Sequence, residues 1–142
     1  MKKIIFLMTF LLFYIVAYAG ETFVIPYDEN VDITETDKIL TSEEIKVKVS
    51  MSRPAEPLKN IKFKFTFLDK NGNEVKVLNP LVKFNMKMDM GKLVFPLTYK
   101  DNKYVVDVIL PKCMMGGKRW YGKLIFRYNY KEYSKVFLFD MK

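Results

Sequence analysis

Seven consecutive residues constrain this chain more than any others: Ile61-Lys62-Phe63-Lys64-Phe65-Thr66-Phe67. Apolar side chains recur at every second position. An extended strand sets Phe63, Phe65 and Phe67 on one face and Lys62, Lys64 and Thr66 on the other. A helix would scatter the same residues around its circumference, so the segment predicts a half-buried strand. Ile45 to Met51 repeats the pattern, and Asp69-Lys70-Asn71-Gly72-Asn73 supplies turn chemistry, because Asn-Gly tolerates positive φ cheaply. Further strands are predicted over 74–78, 81–88, 92–99, 104–110, 121–130 and 133–139. Strands at this spacing, without βαβ units, predict an all-β, immunoglobulin-like antiparallel β-sandwich of about seven strands. Trp120 reads as a core residue bridging the two sheets. Thr34 to Glu44 predicts no more than a short helical turn, and Arg53-Pro54-Ala55-Glu56-Pro57 reads as a loop.

The chain opens with a secretory signal pattern. Lys2 and Lys3 precede an apolar run from Ile4 to Val16, and Ala17-Tyr18-Ala19 offers the small residues a signal peptidase requires. Cleavage after Ala19 gives a signal peptide at 1–19, an acidic N-terminal arm at 20–44 and a sandwich domain at 45–142. If the signal is kept, the run is a short membrane anchor, and the domain still faces away from the cytoplasm. The expected location is periplasmic or otherwise extracytoplasmic. The chain has one cysteine, Cys113, so no internal disulfide can form and the fold rests on apolar burial.

Charge is divided along the chain. Glu21 to Glu44 holds eight acids against one base, whereas Ile45 to Lys142 holds 21 bases against eight acids. The lysines are scattered rather than clustered, and an exported protein seldom meets nucleic acid. They read as solvent-facing strand residues that keep the domain soluble and its sheet edges blunt, not as a nucleic-acid surface. There is no histidine, which removes the commonest general base and the commonest ligand for zinc and cupric copper. No nucleophile has a base beside it, Asp28-Glu29 and Glu43-Glu44 would point to opposite sides of an extended chain, and no phosphate loop occurs. An enzyme is not expected.

Sulfur is the exception. Met86-Lys87-Met88-Asp89-Met90 would bring three thioethers to one face of an extended strand. Cys113-Met114-Met115 forms a second group in a glycine-containing loop. Thioethers and thiolates are soft donors that select Cu(I) over hard divalent ions. The competing reading is structural: methionine fills cores, and a same-face stripe on a strand is what a buried face looks like. Cys113 likewise reads either as a ligand, as a small buried hydrophobe or as a thiol that pairs with another molecule.

The order of these features resembles the YtkA-like family of exported domains, related to the soluble part of FixH-type proteins. The corresponding segments are Asp69 to Val75, Met86 to Gly91, Asn102-Lys103-Tyr104 and Pro111 to Trp120, and together they span roughly Ile45 to Asp140. The family's proline is missing among Met86, Met88 and Met90, and its glycine before the tyrosine is missing too. The resemblance implies an immunoglobulin-like sandwich and an association with copper. The expectation is an exported accessory protein holding Cu(I) through Met86, Met88, Met90, Met114, Met115 and Cys113, serving a membrane cuproprotein or copper transporter by delivery or buffering. The alternative expectation is a non-catalytic sandwich that docks a protein partner and binds no metal.

Overall fold

The computed structural model describes residues 31–142; the signal peptide, its cleavage point and the arm as far as residue 30 lie outside the described residues. Nine strands are present in that range: β1 (Lys38–Thr41), β2 (Lys46–Met51), β3 (Asn60–Leu68), β4 (Leu78–Asn85), β5 (Leu93–Pro96), β6 (Thr98–Lys100), β7 (Lys103–Ile109), β8 (Arg119–Tyr128) and β9 (Lys131–Asp140). They form one sheet of order β1-β2-β3-β7-β6 and a second of order β5-β4-β8-β9, all antiparallel. With β1 set aside, the first sheet has the A-B-E-D order and the second the C′-C-F-G order of an immunoglobulin-type sandwich.

The alternating patterns do what the period requires. Along β3 every second residue is buried, with Phe63, Phe65 and Phe67 at 1% exposure or less. They meet Phe84 of β4, Phe126 of β8 and Phe137 and Phe139 of β9, all equally buried. Ring centroids lie 5.0 Å apart for Phe63–Phe84, 4.7 Å for Phe67–Phe126 and 5.4 Å for Phe63–Phe139. Each such ring contributes roughly 1.5–3 kcal/mol through burial, which is how a chain without a disulfide holds two sheets together. Trp120 is 1% exposed in the same core, as its sequence position predicts.

Four sequence expectations are corrected. Lys38–Thr41 is a strand and not a helical turn, since Leu40 packs inward and the strand pairs with β2. The acidic stretch is fastened by Arg53, whose guanidinium donates to the carbonyls of Ile33 and Thr34 and pairs with Asp37 at 3.0 Å. Residues 74–77 are not a strand: Glu74 makes one bridge to Leu68, and Val77 is pinned at both its N–H and its carbonyl by the Tyr104 hydroxyl. The predicted strand at 92–99 is two, β5 and β6, in different sheets. The chain crosses between them at buried Leu97, whose N–H donates to the Pro80 carbonyl. Finally, β4 begins at Leu78 and ends at Asn85, so Met86, Met88 and Met90 do not share a strand face.

Gly122 shows how tightly the core is filled. It pairs with Phe137 across β8 and β9, and a Cβ on Gly122 would stand 2.3 Å from the Phe137 ring. That ring is fully buried among Phe63, Phe65 and Phe84 and has nowhere to move. Gly122→Ala is expected to cost about 1–3 kcal/mol by overpacking, read as a lower urea midpoint at unchanged m-value. An unchanged midpoint would contradict this packing.

Candidate metal centre

β4 stops at Asn85 because its side chain replaces the sheet as hydrogen-bond partner. The Asn85 Oδ1 accepts from the N–H groups of Met86 (2.9 Å) and Met90 (2.8 Å), and its amide donates to Asp89 Oδ1 at 3.0 Å. Asp89 in turn accepts from the N–H of Gly91 at 3.0 Å, and Gly91 takes a φ of 94°. Met86 to Met90 therefore fold back as a loop around one amide. Met86 turns inward and is 5% exposed, Met88 points out at 45%, and Met90 packs half-buried against the core.

The second sulfur segment joins β7 to β8. The Gly116 N–H donates to the Cys113 carbonyl at 3.1 Å, closing a turn with Met114 and Met115 at its tip. These two are 94% and 80% exposed, while Cys113 is 5% exposed. Gly117 then passes over two sulfur side chains. A Cβ there would lie 3.1 Å from Met86 Cε and 3.3 Å from Cys113 Sγ.

Met86, Met88, Cys113 and Met115 line one open depression of about 450 Å³, together with Lys87, Gly117, Lys118, Arg119 and Tyr121. Of the six residues singled out from sequence, four share this depression. Met90 and Met114 do not line it: one is held against the core, the other stands out at the turn tip. Cys113 and Met86 form its floor by burial, and Met88 and Met115 its rim by exposure. Among the described residues there is no group of three or more His, Cys, Asp or Glu that could hold a metal.

The rim is basic. Arg119 is committed across β8 and β9 to Asp140, with contacts of 2.8 and 2.9 Å, which holds the Asp140 carboxyl below the usual carboxylate range. The Asp89 carboxyl is also lowered, first by the Asn85 amide and then by the Gly91 N–H. Sequence reasoning missed Asn85, Asp89 and Arg119 as the residues that shape the site. The readable signal was the Asn-x-x-x-Asp-x-Gly spacing at the end of an alternating run.

No protein-family model matches the chain, and no curated protein matches it. Among solved structures it is similar to MtrC from Shewanella baltica OS185, with a TM-score of 0.46 at 10% sequence identity. The match covers 69% of this chain and 24% of that one, so the chain spans about a quarter of that protein's length.

Two outcomes are expected. Asn85→Ala releases the loop and uncovers the site floor, so Cys113 reacts faster with an aromatic disulfide reagent. A rate equal to that of the native chain would show that Asn85 does not organise the loop. Asp89 and Asp140 both titrate below their unfolded values, so the unfolded chain takes up protons first as pH falls. Their contribution is complete above about pH 4, near the ordinary carboxylate range, and drains away as pH descends through the lower folded values. The urea midpoint should fall below that pH, and fall less in Asp89→Asn. An identical acid-side slope in the variant would rule Asp89 out.

Proposed function

We propose that this chain is an exported, YtkA-like accessory protein that binds Cu(I) at Met86, Met88, Met115 and Cys113. It would deliver the ion to, or buffer it near, a membrane cuproprotein or copper transporter. The observation that carries the proposal is that sulfur-bearing residues from two separate chain segments line one open depression. Core filling accounts for Met86 and Met90 but not for Met88 at 45% exposure or Met115 at 80%. The chain has no histidine, and the soft donor set suits cuprous rather than cupric copper.

The arrangement divides the work. Cys113, bound as thiolate, and Met86 would hold the ion at the floor, where Gly117 leaves room for their sulfurs. Met88 and Met115 would complete the site from flexible, exposed side chains. Such donors can leave one at a time while an incoming partner's sulfur takes their place. A single positive charge, offset by the thiolate, limits the repulsion from Lys118. Because Cys113 must lose its proton, affinity would weaken toward low pH.

The test is competition with bicinchoninate for Cu(I) under reducing conditions. The native chain should retain one Cu(I). Met88→Leu combined with Met115→Leu should bind about tenfold or more weakly, a change of ~1.4 kcal/mol or larger. Met114→Leu, outside the depression, should bind as the native chain does. Equal affinity in all three proteins would end the proposal.

A further inference from the structure

The sulfur depression lies at one end of the sandwich, and the other features of that end are unusual for a surface facing only water. Three loops converge there. The Leu58 N–H donates to the Leu110 carbonyl, the Lys142 N–H to Ala55 and the Met141 N–H to Lys118, which ties loop 52–59, loop 110–118 and the C-terminus together. Loop 86–92 joins them through the shared depression. Large apolar side chains project from these loops: Leu58 is 69% exposed, Met88 45%, and Met114 and Met115 more still, with Ile109 at the end of β7 exposed at 59%. They are separate prongs on different loops, not one flat face or a groove.

Leu58 adds an independent sign. Its φ is 61°, a left-handed conformation that a bulky side chain rarely adopts and that glycine would relieve. Burial gives no reason for a leucine there, since the side chain faces water. Tyr130 in the β8–β9 turn is also left-handed (φ 66°) and 97% exposed, so it is the gathering of Leu58 with the other prongs and the lysines, not the strain alone, that points to a contact outside the fold.

The charge around the prongs is net positive. Lys112 and Lys118 are exposed on either side of Met114 and Met115, and Lys59 follows Leu58. Of the acids at this end, Glu56 pairs with Lys59 at 2.8 Å and Asp140 with Arg119, while Asp89 keeps its charge among neutral donors, the Asn85 amide and the Gly91 N–H. Apolar prongs set among lysines match a bilayer interface, where the prongs enter the headgroup boundary and the ammonium groups meet anionic lipid.

We propose that this end of the sandwich docks on an anionic lipid bilayer through Leu58, Met114 and Met115, with Lys112 and Lys118 against the headgroups. The docking does not depend on a bound metal. It would turn the mouth of the sulfur depression toward the membrane.

The test is amide hydrogen exchange of the full, metal-free chain on vesicles of phosphatidylcholine alone and of phosphatidylcholine with phosphatidylglycerol. The apolar stretch from Ile4 to Val16 can carry the chain to either vesicle, so the comparison is between ends of the domain. On anionic vesicles, amides at 56–59 and 112–118 should slow several-fold, while those of the β8–β9 turn at 129–130, at the far end, should not change. Lys112→Glu with Lys118→Glu, both on exposed side chains, should abolish the effect. Equal protection at both ends overturns the proposal, as does equal protection on neutral vesicles. No protection at either end also overturns it and leaves the prongs for a protein partner. Cu(I) competition without vesicles is a separate readout, so either proposal can fail alone.

Discussion

Phenylalanine rings from four strands of two sheets interlock at the centre of this molecule, and everything else is arranged around them. Phe63, Phe65 and Phe67 come from β3, and Phe84, Phe126, Phe137 and Phe139 from the opposite sheet. With a single cysteine in the chain, this contact is what joins the layers. Its demands reach into the backbone, since Phe137 leaves no room for a side chain at residue 122. A core completed by aromatic rings has little use for sulfur at the end of the sandwich. Met88, Met114 and Met115 lie outside it, where chemistry rather than packing has to account for them.

The sequence was most legible where one face is buried and the other wet. β2 and β3 follow from period two alone, and β7, β8 and β9 fall within a residue or two of their expected ends, whereas β4 lies three residues earlier than expected. Alternation misled where a strand changes its partner without changing its pattern. Residues 93–100 stay extended through the corner at Leu97, yet β5 and β6 belong to different sheets. β1 was hidden because it has only one inward residue, Leu40, in an acidic setting. Val75 and Val77 look like a strand, but they pack in a coil held by the Tyr104 hydroxyl.

The candidate site was half legible. Residue type pointed to Met86, Met88, Cys113 and Met115, and the softness of their sulfurs needs no coordinates. Which of them meet could not be read, because the reading assumed that alternation carries on through Met90. The Asn85 side chain ends the strand by competing for backbone donors, and a side chain that captures N–H groups leaves no mark on hydrophobic periodicity. The fold-back separates Met90 from Met88, and it leaves Met86 beside Cys113 from a segment 27 residues away in sequence.

The proposed role depends on methionine thioethers, with one thiolate, contacting a cuprous ion. X-ray absorption at the copper edge of the Cu(I)-loaded chain, grown with selenomethionine, tests that contact directly. Selenium neighbours at copper, accompanied by one sulfur from Cys113, are the predicted result. A copper shell of nitrogen or oxygen only, or of sulfur without selenium, would contradict the account.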